Sequence, residues 1–450
     1  MVHCYKNNGY NIILDVESGA VHVADDVLYD AVCLWQEEEP SCVKEILTQK
    51  YKAEDVDEAI SDIKELIDER ALFTEDEYRN NPAINKVDTN PVVKALCLHI
   101  AHDCNLACTY CFAGEGEYHG RRALMDFETG RKALDFLVAN SGSRRNLEVD
   151  FFGGEPLMNF DVVKRLVKYG RSIEKEHDKR FRFTLTTNGL LLNDEIMDFV
   201  NENMHNLVLS IDGRKEVHDR MRPARGGKGS YDVILPKIMS AAKKRQGRSY
   251  YVRGTYTHYN TDFAADVLHL ADLGFDQISV EPVVAPDDCG YAIKKEDIPA
   301  LFEQYDILSK ELIKRRKEGR GFNFFHFMID LEGGPCVYKR LKGCGSGTEY
   351  LAVTPWGDLY PCHQFVGNEE FLMGNVDEGV TRTDIRDSFA ACNVFSKPEC
   401  ADCFARYYCS GGCAANAWNF TGDVNGNYAI GCELQKKRIE CAIMIKAALA

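Results

Sequence analysis

The chain has no long apolar run and no excess of positive charge. No stretch is apolar enough over enough residues to span a bilayer, and the first residues carry no basic segment followed by an apolar one. Neither membrane insertion nor export is expected, and a cytoplasmic location is. Lys and Arg number 54 against 70 Asp and Glu, a formal net charge of −16. That balance argues against non-specific binding to nucleic acid and favours a peptide or small-molecule substrate. Cysteine, in contrast, is plentiful, with 18 in 450 residues. In a reducing compartment clustered thiols favour metal binding or catalysis over a disulfide framework.

The cysteines fall into two spaced groups. Cys104, Cys108 and Cys111 sit on a tight loop directly after the strand-like run Leu96 to Ile100. Cys344, Cys362, Cys400, Cys403, Cys409, Cys413 and Cys432 form the second group. Ten thiolates so arranged imply iron–sulfur chemistry, and three ligands on one loop would leave one iron of a four-iron cubane open to bind a further molecule. Two structural zinc sites are the alternative, since Cys400-x2-Cys403 has zinc-ribbon spacing, but seven ligands leave one such site incomplete. Cys4, Cys33, Cys42, Cys97, Cys289, Cys392 and Cys441 read as buried apolar residues.

With 45% hydrophobic residues, the chain has material for a sizeable core and several domains. Residues 1–74 read as a small module in which strand-like Met1–Tyr5, Tyr10–Val16 and Ala20–Ala24 precede helical patterns near Asp26–Gln36, Cys42–Lys50 and Ala53–Arg70, suggesting a winged helix. Residues 75–94 have the composition of a linker. From 95 to 285, six strand-like runs alternate with helical ones: Leu96–Ile100, Asn146–Phe152, Phe181–Thr187, Leu207–Ile211, Tyr250–Thr257 and Gln277–Val280. An α/β architecture with a parallel sheet follows, and six units make a partial (β/α)6 TIM barrel with its site at the C-terminal strand ends. Residues 286–333 read as a bridging helical region, with a charged helix over Asp297–Lys317. Residues 334–450 are Cys-rich, weak in periodicity and dependent on metal to fold well.

Cys104-x3-Cys108-x2-Cys111, with Tyr110 one residue before the last cysteine and the first strand of a βα repeat just ahead, resembles the radical S-adenosylmethionine (SAM) enzymes. In that family SAM chelates the open iron and is cleaved to a 5′-deoxyadenosyl radical. Gly153-Gly154-Glu155-Pro156 at the second strand end resembles the family's GGE motif, which implies that this backbone and carboxylate take the SAM ammonium. Thr186-Thr187-Asn188-Gly189 ends the third strand and Ser210-Ile211-Asp212-Gly213 the fourth. Ser210 and Arg222 match positions that touch the SAM carboxylate and ribose. Tyr110 and Asn188 join the same expected cofactor site.

The second cysteine group resembles the SPASM extension of radical SAM peptide-modifying enzymes, which holds two auxiliary 4Fe-4S clusters and raises the expected total to three. The resemblance implies that Cys400, Cys403, Cys409 and Cys432 hold one cluster fully and that Cys344, Cys362 and Cys413 hold the other. Seven thiols stand where eight are needed. Either Cys336 supplies the eighth, or one auxiliary iron is open to a substrate thiolate, which is the reading favoured here.

An N-terminal winged-helix module ahead of such an enzyme resembles the element that recognises leader peptides by strand addition; Val21, Val23 and the helix with Val56, Ile60 and Ile63 are the first region to test. Over its full length the chain resembles thioether-forming maturases of Cys-rich peptides, those acting on peptides with six cysteines in about forty-five residues, of the sactipeptide and ranthipeptide class. That resemblance implies a ribosomally made precursor as partner, its leader held at the N-terminal module, and a flavodoxin- or ferredoxin-type reductant. A formylglycine-generating sulfatase maturase and a carbon–carbon cross-linking maturase are rival readings. A non-catalytic iron–sulfur or zinc interaction protein is a rival of another class, separated from the rest by reductive cleavage of SAM.

Overall fold

The computed structural model describes residues 1–82, 91–118, 120–245, 247–331 and 340–450; Cys336 lies outside them. Strands β1 (Val2–Asn7), β2 (Tyr10–Asp15) and β3 (Val21–Ala24) form an antiparallel sheet in that order. Helices α1 (Asp26–Trp35), α2 (Pro40–Leu47) and α3 (Ala53–Asp68) follow. Strand β2 carries Ile12, Ile13 and Leu14 in succession, all buried, because the sheet is covered on both faces. Ile13 packs with Val56 and Ile63 of α3, whereas Ile12 and Leu14 pack with Ile439 and Ile443 of the C-terminal helix Ala429–Leu449. Val56 and Ile63 are therefore core residues of the module and unavailable to a partner. The β3 edge is different, since among the described residues β3 pairs with β2 alone and Val23 is 54% exposed.

The central sheet is built from parallel strands in the order β4 (Ala95–His102), β6 (Asn146–Gly153), β7 (Arg180–Thr187), β8 (Asn206–Ser210), β9 (Ser249–Tyr256) and β10 (Gln277–Pro282). A short strand, β5 (Ala123–Leu124), runs antiparallel to the end of β4. The crossovers are helices α4 (Phe127–Ala139), α5 (Phe160–Ile173), α6 (Asp194–Asn203), α7 (Lys215–Met221) with α8 (Tyr231–Arg245), and α9 (Phe263–Asp272). Six strand–helix units form the expected partial barrel, and β4 reads as a continuous apolar run because both of its faces are covered. Helix α10 (Ile298–Lys317) follows β10, and β11 (Asn323–Phe324) extends the sheet in parallel beside it.

At the other edge the sheet continues where periodicity in the sequence is weak. Strand β12 (Tyr350–Val353) pairs in parallel with β4, and β13 (Asp358–Tyr360), β14 (Gly374–Asn375) and β15 (Gly379–Val380) continue antiparallel. Cys362 follows β13 directly, so the barrel's own sheet carries it to the barrel wall. Among the described residues no helix is long and apolar enough to cross a membrane.

Candidate radical SAM site and auxiliary cysteine groups

The loop after β4 is held as a false strand against the segment after α7. Ala107 N–H donates to Pro223 O at 2.9 Å and Thr109 N–H to Met221 O at 2.8 Å, and Leu106 bridges Ala224. These bonds bracket Arg222 and set it beside Tyr110. An Arg222 Nη1–H donates to Tyr110 Oη at 3.0 Å, and the Tyr110 hydroxyl in turn donates to the Asp212 carboxylate at 2.7–2.8 Å. Asp212 also accepts from Thr255 N–H at 3.1 Å and is fully buried. Burial pushes its carboxyl up to about 6, against the pull of Arg222, Tyr110 and Thr255. His218 supports this corner from behind, accepting from Asp212 N–H at 3.3 Å while its other ring nitrogen meets Ser230 Oγ at 2.9 Å.

The end of β6 approaches the cysteine loop backbone to backbone. Gly154 N–H donates to Ala101 O at 2.7 Å and Glu155 N–H to Asp103 O at 2.9 Å. A Cβ on Gly153 would stand 2.3 Å from Ala101 O, and one on Gly154 2.1 Å from Asp103 O, so only glycine permits this contact. Glu155 is buried and cross-links strand ends: it accepts from Thr187 Oγ1 at 2.8 Å, Leu157 N–H at 3.0 Å and Asn188 N–H at 2.8 Å. Its carboxylate is thus committed largely inside the protein, which leaves the glycine backbone as the more open part of this motif. Asn188 donates to Asn105 Oδ1 at 2.7 Å and towards Cys104 Sγ at 3.6 Å. Ser210 ends β8, half-buried and in register with Arg253.

Cys104, Cys108 and Cys111 lie within one another's electrostatic reach. Burial pushes the Cys104 thiol up to about 12 and the Cys108 thiol to about 11; the Leu106 N–H opposes the first shift and the Arg222 charge the second. N–H and amide donors to sulfur together with a buried guanidinium suit thiolates that carry a metal cluster. Two buried donors of this corner, Asn105 Nδ2 and Arg222 Nε, have no partner among the described residues, as expected where a polar cofactor belongs. The residues fit a cluster with SAM on it.

The remaining cysteines separate into two sets. Cys400, Cys403, Cys409 and Cys432 line one cavity of about 70 Å³. Cys344, Cys362 and Cys413 interact with one another; Cys362 is buried, whereas Cys344 and Cys413 are exposed. Among the described residues no three His, Cys, Asp or Glu side chains converge to the spacing of a single metal ion; the four-cysteine set surrounds space instead. Cys413 caps the helix Ala414–Thr421 and Cys432 lies in the first turn of Ala429–Leu449, placing both near the positive ends of helix dipoles. Lys397, 2% exposed, donates to Gly411 O and Gly426 O at 3.0 Å each, and its charge pulls down the thiols of Cys400 and Cys409. Of the cysteines read as apolar, Cys97 and Cys441 are buried and Cys42 is exposed.

The ten cysteines lie in three sets, Cys104 with Cys108 and Cys111, Cys344 with Cys362 and Cys413, and Cys400 with Cys403, Cys409 and Cys432. Asp212, Asn105, His218 and Lys397 were not among the expected site residues. The Asp212-Gly213 pair resembles an ordinary turn, and His218 an ordinary packing residue. Lys397, three residues ahead of Cys400, was the one with a local signal, a cation next to a thiolate pair.

The site is thus a three-cysteine loop beyond the first strand of a parallel α/β partial barrel, closed against a Gly-Gly strand end. The radical SAM superfamily profile matches residues 98–273. An uncharacterized protein of Methanocaldococcus jannaschii is 32% identical over 289 residues, covering 64% of this chain and 90% of that protein. The cysteine-type anaerobic sulfatase-maturating enzyme of Clostridium novyi is 25% identical over 365 residues, covering 75% and 92%. The structure of native anSMEcpe with bound AdoMet and Kp18Cys peptide superposes with a TM-score of 0.65 at 19% identity, covering 80% of this chain and 99% of that one. Residues 98–273 form a radical SAM domain, which implies a 4Fe-4S cluster and SAM.

Proposed function

We propose that this protein is a maturase that installs thioether cross-links, cysteine sulfur to carbon, in a ribosomally made Cys-rich precursor peptide. The observation that carries the reading is the Cys344, Cys362 and Cys413 set. It is tied to the barrel sheet through β12 and β13, and two of its three residues, Cys344 and Cys413, are exposed. A three-thiol site of this kind has room for one more sulfur, which a substrate cysteine would supply.

SAM bound at the first cluster would supply the radical that removes hydrogen from the acceptor carbon. The chain's own residues do the rest. Asn188 and the Leu106 N–H stabilise Cys104 as thiolate, Arg222 holds Tyr110 and Asp212 in place, and Gly153 and Gly154 bring the second strand end against the cluster loop. Ser210 and Asn188 complete the SAM contacts. Cys400, Cys403, Cys409 and Cys432 would hold a closed auxiliary cluster, which would supply a site for the electron released when the bond forms. The β3 edge, with Val21 and Val23, takes the leader by strand addition, and a flavodoxin- or ferredoxin-type protein reduces the clusters.

Similarity to a sulfatase-maturating enzyme favours formylglycine formation as the second reading. Replacement of Cys344 separates the two. Cys344→Ala is expected to retain SAM cleavage, followed as 5′-deoxyadenosine, and to lose cross-linking of a Cys-rich peptide. Full cross-linking by Cys344→Ala would overturn the role given to this set.

A further inference from the structure

A cavity of about 290 Å³ lies between the end of β10 and the C-terminal helix. Glu281 and Pro282 form its barrel wall, Gln435 and Arg438 line it from the helix, and it reaches the cysteine-rich region at Cys413 and Cys432. Arg438 is only 9% exposed. Its Nε–H donates to Tyr305 Oη at 2.8 Å, and Nη1 donates to Gln435 Oε1 at 3.3 Å and His326 Nδ1 at 3.4 Å. Nη2 has no partner. Each of these acceptors is neutral. Burial keeps His326 uncharged, and Ser279 Oγ lies 3.2 Å from its other nitrogen.

The charges around Arg438 do not balance. Glu281 is the carboxylate in its field, yet Glu281 is held at two points by Arg253, at 3.2 and 3.0 Å. Arg253 also has Asp150 in its field, but burial pushes that carboxyl up to about 7, towards its neutral form, so Glu281 is the ionised carboxylate that the two guanidinium groups share. Lys397 also lines the cavity, but both of its acceptors are carbonyls and its charge acts on the thiols of the cluster sites. A buried guanidinium without a counter-charge is costly, and its planar fork matches a carboxylate.

We propose that Arg438 is the receptor for a carboxylate of the peptide substrate, held in the cavity between the last barrel strand and the C-terminal helix. The inference rests on the peptide-maturase reading. The carboxylate is that of an acidic side chain or of a peptide C-terminus, two sources with one chemistry.

The test uses anaerobically reconstituted holoenzyme and four short probes: acetyl-Gly-Asp-Gly-amide against its Asn counterpart, and acetyl-Gly-Ala-Gly with a free against an amidated C-terminus. Binding is measured by calorimetry. At least one charged probe is expected to bind about ten-fold or more tightly than its neutral partner, and which pair shows the difference identifies the source. Arg438→Gln is expected to abolish the difference and Arg438→Lys to recover part of it. Wild-type holoenzyme labelled with phenylglyoxal and mapped by mass spectrometry gives a reading that needs no variant: the charged probe is expected to protect Arg438 and the neutral one not to. Equal binding within both pairs, or a charge preference that survives Arg438→Gln, overturns the proposal. Protection by propionate with none by any peptide probe would leave a carboxylate site and overturn the peptide as its ligand.

Discussion

Glu17, in the turn between β2 and β3, is ion-paired with Arg406, which lies between Cys403 and Cys409, and both side chains are 1% exposed. Asp76 joins Arg406 at 3.0 Å, and Tyr407 donates its hydroxyl to Glu17 at 3.2 Å. Further along the same loop Arg79 donates to Ala401 O at 2.5 Å, and the His3 ring stacks on Phe404 at 3.6 Å. The N-terminal sheet and the segment after it thus hold the loop that carries Cys400, Cys403 and Cys409.

Removal of one partner from a buried pair leaves an uncompensated charge, at a typical cost of 3–5 kcal/mol. Because Asp76 remains beside Arg406, Glu17→Ala is expected near the lower end, at about 3 kcal/mol. Urea unfolding of the reconstituted protein checks this. Iron analysis is expected to show loss from the C-terminal sites first.

Gly154→Ala drives a methyl group into Asp103 O, 2.1 Å away. Neither partner is a flexible side chain end, so the second strand end must withdraw from the cysteine loop. Destabilisation of about 1–3 kcal/mol is expected, along with loss of the SAM-bound cluster signal in electron paramagnetic resonance. Gly120→Ala, whose added Cβ would meet its nearest atom at 3.6 Å, is expected to keep that signal.

Much of this architecture was legible in the sequence, for local reasons. Strand β4 is an apolar run covered on both faces, β6 to β9 alternate buried with less buried side chains, and the helices between them have their own period. The cysteine groups are recognised by spacing. What was not legible depends on pairings between distant residues. Strand β12 is four residues long and gains its place from β4, some 250 positions earlier. Tyr110, Asp212 and Arg222 meet across more than 100 positions. Val56 and Ile63 have the same helical spacing whether they face a partner or their own sheet, and only the fold shows that they are core.

Asp150 on β6 faces the barrel interior opposite Cys97. Burial pushes its carboxyl up to about 7 from 3.8, against the pull of the Thr186 hydroxyl and Arg253. The folded chain therefore holds a proton that the unfolded chain has released, so this group's contribution is fully present below 3.8 and is lost as the pH rises through about 7. Asp150→Asn is expected to flatten that part of the fall, measured as the urea midpoint against pH. An unchanged slope would contradict the assignment.

Arg222→Gln strips the counter-charge from Asp212, at a typical cost of 3–5 kcal/mol for breaking a buried pair. Asp212→Asn on the same background is expected to return a large part of that loss, because the two sites are coupled through Tyr110. A double-mutant cycle by urea unfolding gives the coupling, and additive losses would show that the two act separately.

The most direct test of the account is mass spectrometry of a Cys-rich precursor peptide after anaerobic incubation with the reconstituted enzyme, SAM and reductant, with thiol alkylation to count free cysteines. The account predicts loss of two hydrogens for each cysteine protected from alkylation, with the protection surviving disulfide reduction. Cleavage of SAM with the peptide unchanged, or conversion of a cysteine to an aldehyde without a cross-link, would contradict it.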